Sequence, residues 1–326
     1  MYQINFKEPC HIHFIGIGGI SMSGLAEILL KENFTISGSD AKESDLTRHL
    51  TSLGAQVFYG QKAENIIPGI DLVVYTAAIH PDNPEFAAAK AAGIPMLTRA
   101  ELLGQIMRNY NTPIAVSGTH GKTTTTSMLS HILMAADCDP TISVGGILPS
   151  IGGNIRVGHS ETFLTEACEY TNSFLSFFPK IGIILNMDVD HLDFFKDIDD
   201  IRHSFREFAR LLPADGMLII NADTPKYDYV TEGLGCKIVT CAMENPAVAD
   251  YTAANITYDE FDHPSFDCIC RGELRGRYTL MVPGLHNVSN ALAAIALADE
   301  LQLPENAIHA LADFIAAGDV TLDAVA

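Results

Sequence analysis

Through residues 11–108, short apolar runs alternate with longer stretches in which apolar positions recur every three or four residues. The runs at 11–15, 34–37, 56–58, 71–76 and 95–97 are rich in β-forming residues and predict strands. The stretches at 20–31, 44–53, 84–91 and 99–108 have helical spacing. Such alternation predicts parallel strands joined by right-handed crossovers, a doubly wound α/β sheet. Asn109-Tyr110-Asn111-Thr112-Pro113 breaks the rhythm and reads as a linker. A second α/β unit starts at Pro113, with further strands expected at 163–165, 181–185, 217–220 and 238–240. Residues 251–282 read as a β-hairpin region, and helices are expected near 288–302 and 305–316. The pattern thus divides the chain into domains at 1–108 and 109–326, with no internal repeat.

Composition narrows the classes of function. A chain of 326 residues with 48% hydrophobic and 18% charged residues has ample material for two globular cores. A formal net charge of −20 argues against a nucleic-acid partner. Any phosphate ligand must therefore be held by local groups. Of the seven cysteines only Cys268 and Cys270 are close in sequence, which predicts free cytosolic thiols and no Zn site. No basic segment leads into an apolar one at the start, and no apolar run approaches the ~18 residues of a membrane span. We expect a cytoplasmic protein without membrane insertion, of undetermined oligomeric state.

The sharpest motif is Ser117-Gly118-Thr119-His120-Gly121-Lys122-Thr123-Thr124. It follows the apolar run Pro113-Ile114-Ala115-Val116 and precedes helical spacing through Met128, Leu129, Ile132 and Leu133. A strand, a glycine turn and a helix N-terminus build an anion site from backbone N–H groups and the helix dipole. Lys122 would meet the β/γ-phosphates of ATP and the Thr123 hydroxyl its Mg²⁺. The outer glycine of the full P-loop pattern falls at Val116, so the match is partial.

A second glycine loop, Gly16-Ile17-Gly18-Gly19-Ile20-Ser21, also joins a strand to a helix, and Asp40 ends the next strand. Ser21 stands where a dinucleotide fingerprint has its third glycine. No nicotinamide pocket or proton donor accompanies it, so the loop suits the diphosphate of a UDP-sugar as well as that of NAD. Glu166 follows the strand at 163–165, a position where doubly wound sheets present ligands. His191 lies in Asn186-Met187-Asp188-Val189-Asp190-His191-Leu192-Asp193, beyond another strand. Oxygen donors such as Thr123 and Glu166 suit Mg²⁺, whereas a His is less usual. Asn287 and Asn290 lie one turn apart and could face one ligand or cap a helix.

Together these segments resemble the Mur ligases. The resemblance is carried by His13-Phe14-Ile15-Gly16-Ile17-Gly18-Gly19-Ile20-Ser21-Met22-Ser23, Gly38-Ser39-Asp40, Tyr75-Thr76-Ala77-Ala78-Ile79 and Arg99-Ala100-Glu101. It continues through the Lys122 loop, Glu166-Ala167-Cys168-Glu169-Tyr170, Asp190-His191 and Pro283-Gly284-Leu285-His286-Asn287, spanning about 10 to about 310. It implies a Rossmann-like N-terminal domain followed by a P-loop-type central ATPase domain. The implied reaction is ATP- and Mg²⁺-dependent ligation of L-alanine to UDP-N-acetylmuramate through an acyl phosphate, in peptidoglycan synthesis. The implied catalytic residues are Lys122, Glu166 and His191, with Thr123, Glu166 and His191 as metal ligands. Gly118, Thr119, His120, Gly121, Lys122, Thr123, Thr124, His286, Asn287 and Asn290 would contact ATP. Gly16, Gly18, Gly19, Ile20, Ser21, Asp40, Thr76, Ala77, Ala78 and Arg99 would hold the UDP-sugar.

The chain leaves the family pattern near Phe314. We expect no counterpart in these residues of the C-terminal domain that the family carries, on the order of 100–150 residues. Because domain closure completes such sites, we expect UDP-N-acetylmuramate binding with weak or no ligation by this chain alone. The rival readings are another Mur-type ligase, a non-catalytic nucleotide-binding fragment and an NAD-dependent oxidoreductase.

Overall fold

The computed structural model describes residues 2–314, and they divide into two compact units, the first through Asn109 and the second from Tyr110. The first unit runs β1 (His11–Ile15), α1 (Ile20–Lys31), β2 (Thr35–Asp40), α2 (Asp45–Ser52), β3 (Gln56–Tyr59), β4 (Leu72–Tyr75), α3 (Pro84–Ala91), β5 (Met96–Thr98) and α4 (Arg99–Met107). All neighbours in its sheet are parallel, in the order β3-β2-β1-β4-β5. Strand order reverses between β1 and β4, which opens a crevice at their C-terminal ends. The helices start where local chemistry provides caps. Ser44 and Thr47 form a reciprocal capping box on α2, Asn83 caps α3 ahead of Pro84, and Thr98 and Glu101 box α4.

The second unit continues with β6 (Thr112–Ser117), α5 (Lys122–Ala135), β7 (Thr141–Leu148), β8 (Gly153–Arg156), β9 (Thr162–Ala167), β10 (Ile181–Ile184) and α6 (Ile198–Ala209). It ends with β11 (Met217–Asn221), α7 (Tyr227–Thr231), β12 (Lys237–Cys241), β13 (Tyr251–Tyr258), β14 (Pro264–Cys270), β15 (Glu273–Thr279), α8 (Leu285–Glu300) and α9 (Glu305–Ile308). One sheet of ten strands results, in the order β15-β14-β13-β12-β11-β10-β6-β9-β7-β8. It is parallel from β7 through β13, and antiparallel where β8 joins one end and β14 and β15 the other. Met128, Leu129, Ile132 and Leu133 of α5 and Val288, Leu292 and Ile295 of α8 are buried in one core. The five buried alanines of α8, from Ala291 to Ala298, keep that helix thin, so it lies close to its neighbours.

Four features depart from the sequence pattern. Thr112 and Pro113 are the first residues of β6 instead of linker, and Tyr110 packs its ring on Phe163 at 5.0 Å. Residues 141–156, unassigned by pattern, form β7 and β8, whose alternation is hidden by Gly145, Gly146, Gly152 and Gly153. Residues 198–209 also lack an expected element, although Ile201, Phe205 and Phe208 recur at helical spacing and are buried in α6. The helix expected at 305–316 is shorter: α9 ends at Ile308 and a 3₁₀ turn follows over His309–Asp313. The segment after Phe314, where the family pattern is lost, lies outside the described residues. All seven cysteines are free thiols, and no described helix is long and apolar enough to cross a membrane.

Candidate active site

The phosphate loop of the second unit hangs between β6 and α5 and is shaped by two glycines in the left-handed half of φ space. Gly118 has φ 146° and Gly121 φ 84°, conformations a side chain resists. At Gly121 a Cβ would also stand 2.6 Å from Asn290 Oδ1. The loop is braced by the segment after β10. The Asn186 side chain accepts from His120 N at 2.7 Å and donates to His120 O at 3.0 Å, and Asp188 N donates to Thr119 Oγ1 at 2.9 Å. The backbone N–H of His120 is thereby committed to the protein itself.

Lys122, first residue of α5, folds back over its own loop. Its Nζ donates to Gly118 O at 2.6 Å, Thr119 O at 3.1 Å and Glu169 Oε2 at 2.9 Å. Glu169 is 2% exposed, so this ion pair is shielded from solvent on its carboxylate side. One residue on, the Thr123 hydroxyl donates to Glu166 Oε2 at 3.0 Å, while Gly145 N of β7 donates to Glu166 Oε1 at 2.7 Å. Burial pushes the Glu166 carboxyl above its ordinary range, and the bonds from Gly145 and Thr123 and the charge of Lys122 pull the other way. A cation beside Glu166 would relieve that desolvation, and two clustered oxygen donors are the set Mg²⁺ prefers. Among the described residues no group of three or more His, Cys, Asp and Glu side chains is arranged to hold a metal.

His191 sits in the left-handed region at φ 51°, with Nε2 3.9 Å from Glu169 Oε1 and 3.9 Å from Asp190 Oδ2. Its ring stacks on Tyr170 at 4.5 Å, and the Tyr170 hydroxyl donates to Asp193 at 2.7 Å. Tertiary structure thus groups His191 with Glu169 and Lys122. At the start of α8, Asn287 and Asn290 are buried. Asn287 donates to Pro283 O at 2.8 Å, and Asn290 donates to Asn287 Oδ1 at 3.2 Å. Asn290 faces Gly121, whereas His286 is exposed.

The first unit gathers its candidates at the C-terminal ends of β1, β2, β4 and β5. Gly16 has φ 85°, and the amides of Gly16 and Ile17 both donate to Ser39 O at 2.9 Å. Gly18 N donates to Asp40 Oδ2 at 2.8 Å, so this carboxylate sits on the loop amide that an anionic ligand would use. Gly19 caps α1, and Ile20 is 41% exposed. Arg99 donates to Ser21 Oγ at 3.1 Å, and Thr76, Ala77 and Ala78 form the turn after β4, closed by Ile79 N to Thr76 O at 3.0 Å.

Three residues of the second unit escaped sequence reasoning. Glu169 carried a signal, a second carboxylate three positions after Glu166 in the same strand exit. Asn186 had a weaker one, as the polar residue soon after β10, and Gly145 had none. A cavity of about 410 Å³ lies at the other end of the sheet, by the first residues of β10, β11 and β12. Its Lys180 and Lys237 are already paired with Asp215 and Glu300.

A family model described as the Mur ligase family catalytic domain matches residues 11–111, and one described as the Mur ligase middle domain matches residues 116–298. Similar curated proteins include a UDP-N-acetylmuramate–L-alanine ligase of Agathobacter rectalis, 64% identical over 94% of this chain and 67% of its own length. A protein of the same name from Lachnospira eligens is 60% identical over 95% of this chain and 67% of its own length. Among solved structures, a UDP-N-acetylmuramate–alanine ligase of Thermotoga maritima superposes with TM-score 0.78 at 30% identity, covering 94% of this chain and 68% of that one. A UDP-N-acetylmuramate:L-alanyl-γ-D-glutamyl-meso-diaminopimelate ligase of Neisseria meningitides gives TM-score 0.82 at 28% identity, with 94% and 98% covered.

Proposed function

We propose that this chain, which belongs to the Mur ligase family, carries the nucleotide-sugar and ATP sites of a UDP-N-acetylmuramate–L-alanine ligase acting in peptidoglycan synthesis in the cytoplasm. The chain spans about two thirds of the length of its curated relatives, so the full ligation is itself part of the proposal.

The observation that carries this reading is the pairing at the phosphate loop: Lys122 on Glu169 at 2.9 Å, beside Thr123 on Glu166 at 3.0 Å. Phosphoryl transfer asks the protein for position and for neutralisation of charge. Lys122 would leave its loop carbonyls to meet the γ-phosphoryl group of ATP. Thr123 and Glu166 would hold Mg²⁺, with Glu169 and His191 on the same side of the loop. Bound there, Mg²⁺ supplies Lewis-acid neutralisation of the phosphate oxygens. Asn290, placed against Gly121, supports the loop from α8 as well as facing the nucleotide. In the first unit, the Gly18 amide of the glycine loop would receive the diphosphate of UDP-N-acetylmuramate once Asp40 turns from it toward a ribose hydroxyl. Arg99 would stay on the sugar side. The lactyl carboxylate would attack the γ-phosphorus of ATP and displace ADP, and the L-alanine amine would then attack the acyl phosphate, losing a proton and displacing phosphate as the amide forms.

Phosphate release from ATP and Mg²⁺ tests the proposal, comparing UDP-N-acetylmuramate plus L-alanine with either omitted. Release that needs both supports the ligase. Release supported equally by a tripeptide in place of L-alanine would point to the peptide-joining relatives instead. Binding of both nucleotides without release would make the chain the binding portion of the ligase.

A further inference from the structure

Beneath the first glycine loop lies a buried polar cluster that the proposed chemistry does not use. Glu85, in the first turn of α3, and His13, in β1, both have fully buried side chains, with His13 Nε2 3.9 Å from Glu85 Oε2. Glu85 accepts from Ser39 Oγ at 2.5 Å and from Asn65 Nδ2. On the other side of His13, Ser37 Oγ stands 2.9 Å from His13 Nδ1 and 2.8 Å from His11 Nε2. The order Ser37, His13, Glu85 imitates a hydrolytic triad, but all of its side chains are buried or turned from solvent, so no substrate reaches it.

A carboxylate is kept in such a place only when donors compensate its desolvation. Here each donor is also a strut of the loop above. Ser39, whose hydroxyl binds Glu85, offers its carbonyl to both Gly16 N and Ile17 N at 2.9 Å. Asn65, bound to the other Glu85 oxygen, also donates to Gly60 O at 2.9 Å, and Gly60 N donates to Asp40 O at 2.8 Å. Burial raises the Glu85 carboxyl, but nearby His13 and the bonds from Ser39 and Asn65 outweigh it, and the net direction is down.

We propose that Glu85 is a positioning residue for the nucleotide-sugar site: its buried carboxylate fixes Ser39 and the 60–65 segment, and through them the Gly16–Gly18 amides and Asp40. This rests on the reading of that loop as the diphosphate site. The Glu85 carboxylate touches no ligand. Through Ser39 O it holds the Gly16 and Ile17 amides that anchor the loop, and so sets where the Gly18 amide and Asp40 meet the ligand; small errors there cost affinity.

The test uses the full chain with two substitutions, Glu85→Gln and the milder Ser39→Ala. Calorimetric titration with UDP should show affinity weakened about tenfold or more in Glu85→Gln and less in Ser39→Ala. Exchange in the interior of β1 should stay as slow as in the parent, which reports that the first unit is folded, and binding of ATP with Mg²⁺ in the other unit should be unchanged. In the ligand-free chain, amide exchange at Gly16 and Ile17 should speed up in both variants relative to the interior of β1. If Glu85→Gln loses protection in the interior of β1 as well, Ser39→Ala decides. Unchanged UDP affinity together with unchanged exchange at Gly16 and Ile17 overturns the proposal. Faster exchange in a chain whose parent form does not bind UDP would uphold the positioning role and overturn the nucleotide-sugar reading.

Discussion

Lys122 and Glu169 lie 47 positions apart in the chain, yet their heads meet at 2.9 Å. Lys122→Met removes the charge that phosphoryl transfer requires while keeping the length of the side chain. ATP-dependent phosphate release should fall by about 100-fold or more, as for other groups aimed at developing charge. A release rate within a few-fold of the parent would displace Lys122 from its assigned role. Gly145 offers a subtler probe. A Cβ there would stand 2.8 Å from Glu166 Oε2, so Gly145→Ala must push the carboxylate off Thr123. We expect the Mg²⁺ concentration needed for half-maximal phosphate release to rise by about tenfold. An unchanged Mg²⁺ requirement would show that Glu166 does not hold the metal. The role proposed for Lys122 was legible at once because a strand, a glycine turn and a Lys-Thr pair are contiguous in sequence. Glu169 was visible only as a second carboxylate at the exit of β9, and Gly145 not at all, since nothing local distinguishes it from an ordinary strand glycine.

At the scale of elements, local signals did best where each element closes on itself. Thr98 and Glu101 exchange hydrogen bonds at 3.2 and 2.7 Å to start α4, a signature contained in four residues. Thr98→Ala should cost the first unit about 1 kcal/mol in chemical denaturation. The β7–β8 pair is the contrary case, because glycines hide its alternation and its staple is not local. Asp139, 17 positions from Arg156, binds that guanidinium at 2.5 Å and His159 N at 2.9 Å. The Arg156 bond, then the His159 bonds, hold the Asp139 carboxyl at about 2, below its ordinary 3.8. A depressed carboxyl contributes stability above its unfolded value and loses it as pH falls through the folded one. The second unit should therefore lose stability between about pH 4 and about pH 2, and Asp139→Asn should flatten that part of the acid-unfolding curve. An identical acid profile in parent and variant would remove Asp139 from the account.

For the whole molecule, two units with separate cores imply separable ligand sites. Lys122→Met should leave UDP binding within about twofold of the parent, and Arg99→Ala should likewise spare ATP binding. Loss of both ligands from either substitution would contradict that separation. The amino-acid sequence alone determined the α/β class, the division into two α/β units and which side chains are proposed to meet phosphate. Those properties follow from periodicity and contiguous motifs, which act over a few residues. Only tertiary structure decided which distant groups stand together. Glu169 and His191 gather at Lys122, Asn186 holds the phosphate loop, Asn290 faces Gly121, and a buried Glu85 braces the other glycine loop. These groupings depend on which strands and helices, distant in the chain, the sheet order makes neighbours. Long-range pairing sets that arrangement, and local propensity cannot specify it.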